Sequence, residues 1–375
     1  MTLKEQIAEE IQRLGPIPFA RYMELCLYAP DLGYYSRKRE QFGKAGDFYT
    51  SSDVHAVFGR LLARQFDEMW RAMGAPPSIE IVELGPGRGL FAQDVLDWTS
   101  KKFWDFHDAL TYRMVESSAG LCDRLRQRFA ERIAKGQVAI YATMDELPPA
   151  PEHSIIFANE FFDALPLEVL AACGEMRVGY DDGRFVETFV PPSLEALEYL
   201  DRYGVHPGEG ERIEARLLDQ HYMVQIGSRL HAGFVVLIDY GYTREELLAG
   251  RSTDTLRAFR QHAVSGNPYE APGEQDITAH VNFTALREIG QTAGLDHLAL
   301  LSQAQFLMGI GEPNQFADAF EEAGIAQERT KVAMQLKHLI MPGEMGEAFQ
   351  VLVMRKGVPK DKAARLSGIA FARDL

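Results

Sequence analysis

The stretch IEIVELGPGRGLF, residues 79–91, predicts how the chain folds. Its first half is apolar and β-branched and ends in the acid Glu83, which is typical of a buried strand. Three glycines follow at alternate positions, Gly85, Gly87 and Gly89, and apolar residues then recur at helical spacing. The pattern is therefore strand, tight turn and helix. Because glycine lacks a Cβ, the backbone N–H groups of such a turn can approach a ligand at the helix start.

The glycine spacing discriminates between two classes of nucleoside-containing ligand. A dinucleotide turn requires glycine at its first, third and sixth positions, but here the sixth position is Leu90 and the third glycine is Gly89. Pro86 removes an N–H from the loop, and the carboxylate of Glu83 repels phosphate and suits an ammonium group. S-adenosylmethionine (SAM), with an amino-acid end and no phosphate, fits this pattern. A glycine turn without a ligand is the alternative.

A second acid ends the next predicted strand, LTYRMVE at residues 110–116. In an α/β sheet, a carboxylate at the carboxyl end of the second strand is positioned to bind ribose hydroxyls. We therefore predict that Glu116 binds the ribose of the cofactor. The alternative is an acid that caps the predicted helix at residues 119–134.

Composition and charge limit the function classes. The 375 residues are 46% hydrophobic and 25% charged, which is typical of a globular protein of one large or two ordinary domains. The formal net charge of −15 argues against nucleic acid, which binds clustered basic residues, and favours basic partners. The three cysteines, Cys26, Cys122 and Cys173, have no CxxC spacing and are predicted to be reduced. The histidine spacing predicts no metal site.

The N-terminal sequence and the hydropathy pattern bear on localisation. No run of 18 apolar residues occurs, and the first ten residues contain Glu5, Glu9 and Glu10, unlike a secretory or transit peptide. We expect a soluble bacterial protein of the cytoplasm with no membrane association, or a trimmed chain of the mitochondrial matrix.

Alternating strands and helices after residue 76 predict the fold class. They indicate a Rossmann-like α/β fold with a mostly parallel seven-stranded sheet. Residues 1–75 are predicted to be an N-terminal helical region with a cofactor or substrate loop, residues 76–357 the cofactor domain and residues 358–375 a C-terminal tail. Two stretches interrupt the alternation, at about 167–231 and 249–280. We predict that they are insertions forming a substrate lobe, the first with a hairpin at residues 181–183 and a helix over 211–231 and the second a lid, after which residues 275–280 enter a helix.

The stretch NEFFDALP, residues 159–166, follows a predicted strand directly. Ligands of open parallel sheets lie beyond the carboxyl ends of the strands, so Asn159 is expected beside the cofactor. Glu160 and Asp163 are three residues apart and are predicted to form a carboxylate fork for a planar cationic acceptor.

Two further pairs are candidate site residues. Thr50 and Ser51 lie in a long loop before the predicted helix 54–73, where their hydroxyls are expected to reach the cofactor carboxylate or the substrate. An ordinary capped surface loop is the alternative. Asp276 and His280 are predicted as a second acid and a proton acceptor, with a capping acid and a structural histidine as the alternative.

Six motifs together resemble the MidA family of class I SAM-dependent methyltransferases. They are ELGPGRG (83–89), NEFFDALP (159–166), GDFYTSSDVHAVFG (46–59), IDYGY (238–242), QDITAHVNF (275–283) and MPGEMGEAFQVLVM (341–354). The resemblance extends from Gly15 to about Arg355 and implies a class I methyltransferase fold. That family includes the mitochondrial complex I assembly-factor arginine methyltransferase, so a complex I subunit is an implied protein substrate. Asn282 departs from the pattern, because an aspartate is expected there, and an acid role at this position is in doubt.

The sequence is compatible with three functions. The leading hypothesis is protein-arginine methylation, and the second is O- or N-methylation of a small metabolite. An acid-lined groove open to solvent would indicate the first, and a closed apolar pocket the second. The third is a non-catalytic SAM-binding assembly factor, although such a scaffold has no physical need for the glycine turn. The sequence leaves a homodimer open as the form of assembly.

Overall fold

The computed structural model describes residues 1–37, 56–250, 254–260 and 263–372, with the backbone alone at 263–265. Its strands are β1 (Ile17–Pro18), β2 (Ile79–Leu84), β3 (Leu110–Val115), β4 (Val138–Tyr141), β5 (His153–Asn159), β6 (Glu168–Ala171), β7 (Gly174–Asp181), β8 (Arg184–Val190), β9 (Arg212–Ala215), β10 (Ala232–Tyr242), β11 (Arg257–Arg260), β12 (Ala263–Ser265), β13 (Asp276–Thr278), β14 (Val281–Asn282), β15 (Asp296–Ser302) and β16 (Phe349–Lys356).

The α-helices lie between these strands and at both ends of the chain. They are α1 (Leu3–Leu14), α2 (Phe19–Tyr28), α3 (Ala56–Ala72), α4 (Leu90–Lys102), α5 (Trp104–Ala109), α6 (Ala119–Arg128), α7 (Ala130–Ala134), α8 (Leu194–Tyr203), α9 (Leu217–Arg229), α10 (Arg244–Leu248), α11 (Phe283–Thr292), α12 (Gln303–Gly311), α13 (Ala317–Phe320), α14 (Ala326–Ile340), α15 (Met345–Ala348) and α16 (Lys360–Ala363). Among the described residues, no helix has the length and apolarity that crossing a bilayer requires.

Within the described residues the main sheet is mixed and has eight strands. Its order is β15-β16-β10-β5-β2-β3-β4, and β14 pairs with the end of β10. The strands from β10 to β4 are parallel, whereas β16 is antiparallel to both of its neighbours. The sequence predicted seven strands, mostly parallel. The described sheet has β14 as an eighth strand and is mixed, with five parallel and two antiparallel pairings. A two-residue strand is too short for a periodicity signal, and an apolar run does not encode strand direction.

The two predicted insertions contain more strand than the sequence indicated. The hairpin at residues 181–183 joins β7 to β8, in an antiparallel sheet of five strands ordered β1-β7-β6-β9 with β8 beside β7. The helix predicted over 211–231 is wrong at its start, because β9 pairs there with β6 and only α9 is helical. Stretch 249–280 contributes β11, β12 and β13 to a third sheet. Residues 275–280 do not enter a helix, since α11 begins at Phe283 with Asn282 as its N-cap.

The chain termini pack against the body of the protein. Helices α1 and α2 share a hydrophobic cluster with β7 and β13, whereas α3 packs in the core of the main sheet. The segment after residue 357, predicted as a tail, buries Leu366 and Ile369 completely or nearly so. Its Gly368 N–H donates to Gln65 Oε1 on α3 at 2.7 Å. The predicted domain division at residues 75 and 357 stays a prediction.

The register of the parallel strands brings their carboxyl ends to one edge. Leu84 at the end of β2 lies beside Val115 and Ala158, and Asn159 lies beside Ile238. The segments that follow β2, β3, β5 and β10 therefore meet at this edge, where ligands bind in sheets of this kind.

Candidate functional site

The glycine turn connects β2 to α4, and its three glycines have different surroundings. All three have left-handed backbone angles, with φ of 66°, 53° and 73°. A Cβ on Gly89 would lie 2.5 Å from Leu125 and 2.7 Å from Phe129, so that glycine allows α4 to pack closely. A Cβ on Gly87 would meet no atom within 4 Å among the residues that the structure describes. The Gly87 N–H donates to Glu116 Oε2 at 3.3 Å.

A cavity of about 340 Å³ lies at this edge of the sheet. Its described lining includes Gly85, Gly87, Glu116 and Asn159, together with the acids Glu160, Asp163 and Asp276. With Glu24, the described lining contains five carboxylates, and the only Lys, Arg or His side chain among these described residues is Arg88. The cavity is therefore strongly acidic.

Glu116 occupies the place predicted for a ribose ligand. It borders the cavity, and its Oε1 accepts a hydrogen bond from the N–H of Ser118 at 2.9 Å. Burial raises the pKa of its carboxyl to about 7, although these backbone N–H groups oppose the rise. The carboxylate is fixed at the cavity wall by two backbone donors and retains acceptor capacity for hydroxyl groups.

Glu83 is placed differently from the prediction. Among the described residues that border the cavity, neither Glu83 nor Gly89 is found. The Glu83 carboxyl is buried beneath the turn and accepts a hydrogen bond from the Tyr112 hydroxyl at 2.8 Å. Burial raises the pKa of Glu83 to about 8, so the carboxyl is largely protonated at neutral pH. Its predicted role as a cofactor ligand stays a prediction.

This elevated pKa predicts a pH dependence of stability. The folded chain retains a proton on Glu83 up to about pH 8, whereas the unfolded chain loses it near 4.5, so the free energy of unfolding decreases as pH rises between these values. The contribution is about 1.4 kcal/mol per pH unit. We expect Glu83→Gln, which stays neutral, to have a correspondingly flatter profile in urea unfolding at pH 5, 6, 7 and 8. Parallel profiles for the two proteins would contradict the assignment.

The turn after β5 begins with Asn159 and Glu160. Asn159 Nδ2 donates to Glu160 Oε1 at 3.0 Å, and its buried Oδ1 has no hydrogen-bond partner among the described residues. Glu160 has φ of 50°, an uncommon backbone conformation for a residue other than glycine. Such conformations occur at functional sites, where surrounding contacts hold them.

Asp163 and Asp276 each border the cavity beside a tyrosine. The Tyr240 hydroxyl donates to Asp163 Oδ2, and the Tyr35 hydroxyl donates to Asp276 Oδ1 at 2.8 Å. Burial raises the pKa of Asp163, and the hydrogen bond from Tyr240 opposes this rise. The two predicted acids therefore lie on the same cavity, each oriented by a phenol.

His280 is outside the described lining of the cavity. Its backbone N–H donates to Thr255 Oγ1 at 3.0 Å, and its ring lies edge-on to the Tyr240 ring at 5.5 Å. Burial lowers the pKa of the His280 imidazole, which favours its neutral form. The role of His280 as a proton acceptor stays a prediction, and Thr50 and Ser51 lie outside the described residues.

Sequence reasoning missed the aromatic part of the cavity. Tyr28, Tyr35, Tyr240 and Phe161 line it, and the rings of Tyr28 and Tyr35 stack with centroids 5.6 Å apart. Tyr240 lies near the carboxyl end of β10, within the motif IDYGY, so the strand-end rule that selected Asn159 also applied to it. Tyr28 and Tyr35 belong to the N-terminal region, and no sequence signal connects them with the sheet edge.

The residues at the turn fit SAM. A fixed carboxylate at Glu116 suits ribose hydroxyls, and Gly87 leaves room for a ligand close to the backbone. The Oδ1 of Asn159, which has no partner in the described part of the chain, suits a donor group. The acidic lining suits a cationic sulfonium and disfavours a diphosphate.

Comparison with solved structures identifies the class. The fold is similar to that of a likely methyl transferase from Burkholderia thailandensis bound to S-adenosylhomocysteine (SAH), with a TM-score of 0.84 and 31% identity over 99% of this chain and 95% of that chain. The fold and site thus define a SAM-dependent methyltransferase, with SAM as its cofactor.

Sequence comparison gives the family. A model described as a putative S-adenosyl-L-methionine-dependent methyltransferase matches residues 61–301. A Drosophila melanogaster relative, the mitochondrial protein arginine methyltransferase NDUFAF7 homolog, is 31% identical, covering 95% of this chain and 85% of its own. Human mitochondrial protein arginine methyltransferase NDUFAF7 is 29% identical, covering 92% of this chain and 81% of its own. The chain belongs to this methyltransferase family, as its motifs indicated.

Proposed function

We propose that this chain methylates arginine side chains of a protein, with Glu160, Asp163 and Asp276 facing the guanidinium. The observation that carries the proposal is the charge of the cavity, where five carboxylates face one arginine among the described lining residues. With a neutral acceptor, the carboxylates in the cavity would repel one another, because the dielectric constant there is low. A cationic acceptor offsets that repulsion. The planar guanidinium is also the group best matched to carboxylate oxygens.

The cofactor, when bound, supplies a methyl group on a positively charged sulfur. Glu116 would hold the ribose hydroxyls, with Gly85, Gly87 and Asn159 beside the rest of the ligand. Positioning supplies most of the rate in such a displacement, because it needs little acid–base assistance. The chain then has to orient the acceptor and keep water away from it.

An arginine acceptor must lose one proton during the reaction. Asp163 is suited to receive it, because burial raises its pKa towards neutrality and Tyr240 holds its other oxygen in place. His280 lies behind Tyr240 and is the second candidate for this role. Asp276, oriented by Tyr35, would be a further carboxylate for the guanidinium.

The relatives support a protein acceptor, since those from Drosophila melanogaster and human are named protein arginine methyltransferases. Within this proposal, the family resemblance implies a subunit of respiratory complex I as the acceptor. A homodimer is the form of assembly that we propose. We propose a cytoplasmic location for a bacterial chain; the named relatives are mitochondrial.

Methylation of a small molecule is the second candidate. The cavity volume of about 340 Å³ falls within the range of small-ligand sites, and Leu90, Leu165 and Leu218 contribute apolar surface to it. The acids at Glu160, Asp163 and Asp276 have no function in that case unless the metabolite is itself a cation.

The test is to incubate the chain with methyl-labelled SAM and a lysate of its own organism, and to hydrolyse the labelled protein fraction. We expect labelled methylarginine in a protein band, and no label with Gly87→Val. Label confined to small molecules would replace the proposal with the second candidate. SAH binding without any labelled product would indicate a non-catalytic assembly factor.

A further inference from the structure

Two buried polar side chains, Asp239 and Arg216, bind the backbone of the turn after β5, and burial raises the pKa of the Asp239 carboxyl. Asp239 on β10 accepts hydrogen bonds through Oδ2 from the backbone N–H groups of Phe162 at 3.1 Å and of Asp163 at 3.2 Å. Arg216, between β9 and α9, donates through Nη2 to the carbonyl oxygen of Phe162. One residue of the turn therefore has its N–H bound by a carboxylate and its carbonyl bound by a guanidinium.

Arg216 also connects this turn to a second segment. Its Nη1 donates to the carbonyl oxygens of Ala279 at 3.4 Å and His280 at 3.5 Å, in the stretch that follows β13. The Ala279 N–H in turn donates to the carbonyl oxygen of Asp163 at 3.1 Å. A single guanidinium thus fixes the turn that bears Asp163 against the segment that extends from β13.

The ion pair of Arg216 is fully enclosed. Its Nε donates to Asp219 Oδ2 at 2.7 Å, and the side chains of Arg216 and Asp219 are 0% and 1% exposed. Burying two charges costs free energy, and well-packed apolar residues of similar volume often stabilise a fold as well or better. A contribution to fold stability is therefore a weak explanation for the presence of this buried ion pair. The left-handed backbone conformation of Glu160, by contrast, needs surrounding contacts to maintain it.

We propose that Arg216 is a positioning residue for methyl transfer, which sets the turn with Glu160 and Asp163 relative to Asp276 across the cavity. The inference rests on the proposed placement of the acceptor beside these acids. Arg216 borders no part of the described cavity lining. It binds the backbone carbonyls of the turn and of the segment after β13, and its charge also opposes the rise in the pKa of Asp163.

The test uses the double variant Arg216→Met/Asp219→Leu, which removes both charges of the ion pair, so that the Asp219 carboxylate is not left buried without its partner. The matched control is Arg229→Met. Arg229 lies at the end of α9, pairs with Glu80 at 2.6 Å and donates to the Pro148 carbonyl oxygen at 2.9 Å, away from the cavity. Arg216→Lys is the third variant, because it keeps the charge but loses the planar fork.

Three quantities are measured on each full-length variant: SAH affinity and binding-site count by calorimetry, backbone amide exchange across residues 159–166, and methyl transfer per SAH-binding site. For the double variant we expect SAH affinity within about twofold of the unaltered chain. We expect amide exchange faster by at least about tenfold and transfer slower by about 100-fold, the size of effect that a 1 Å misplacement causes. Arg216→Lys should be intermediate, and Arg229→Met should match the unaltered chain.

Unchanged exchange and transfer in the double variant would overturn the inference. If that variant binds no SAH because it fails to fold, Arg216→Lys decides instead. Unaltered exchange and transfer in Arg216→Lys would overturn the inference, and faster exchange with slower transfer and SAH binding retained would support it. Failure of the proposed function is a separate result, because label would then appear in small molecules with the unaltered chain. The variants are compared on whichever acceptor that chain labels.

Discussion

Gly87→Val is expected to weaken SAH binding by at least about 100-fold, equivalent to about 2.7 kcal/mol of binding free energy, while the chain remains folded. Gly87 lines the cavity, and a Cβ there would meet no atom of the described residues within 4 Å. The valine side chain would therefore occupy space beside the backbone that the ligand must approach. Calorimetric titration with SAH measures the loss, and circular dichroism with thermal unfolding measures the fold.

Gly136→Val is the matched control for backbone strain. Gly136 also has a left-handed φ, 73° against 53° for Gly87, and a Cβ there likewise meets nothing within 4 Å, but it lies outside the described cavity lining. Both variants should lose about 1–2 kcal/mol of stability from the left-handed backbone. Only Gly87→Val should lose SAH affinity. Equal affinities in the two variants would show that the turn does not hold the cofactor.

Glu160→Gln is expected to reduce methyl transfer by about 100-fold or more and to leave SAH affinity nearly normal. The substitution keeps the shape of the side chain and its acceptor oxygen for Asn159 Nδ2, but it removes the charge proposed to face the guanidinium. Breaking a buried, hydrogen-bonded charge pair in this way typically costs about 2–5 kcal/mol. Initial rates with labelled SAM, together with SAH calorimetry, separate the two effects.

Glu24→Gln is the control for charge alone. Glu24 also borders the cavity, but its side chain is 52% exposed and pairs with Arg21 at 2.7 Å. Solvent screening makes exposed pairs worth about 1 kcal/mol or less, so only a small change in transfer is expected. Full activity of Glu160→Gln would exclude the proposed role of Glu160. Equal losses in both variants would indicate a general field effect of the acidic cavity.

Local sequence patterns predicted the strand before the glycine turn and the residues at the strand ends, because these depend on neighbouring residues in the chain. The apolar run before Gly85 predicted β2, and the strand-end rule led to Glu116, Asn159 and Glu160, because a parallel sheet brings the ends of its strands to one edge. The motifs predicted the methyltransferase family, which the comparisons confirmed. Net charge indicated a basic partner, and it agrees with the acidic cavity.

Contacts between segments that are distant in sequence determined the remaining parts of the fold and of the site. Strand β9 was predicted as helix because its partner β6 lies about forty residues earlier in the chain, and helix and strand propensities yield to such tertiary contacts. The position of Glu83 beneath the turn depends on its hydrogen bond with Tyr112 of the adjacent strand. The aromatic part of the cavity depends on α2 and the chain that follows it, which contribute Tyr28 and Tyr35. Sequence spacing alone determined which residues stand at the strand ends. Only the tertiary structure decided which of them share the cavity and which, like Arg216, hold others in place, because these relations arise between segments far apart in sequence.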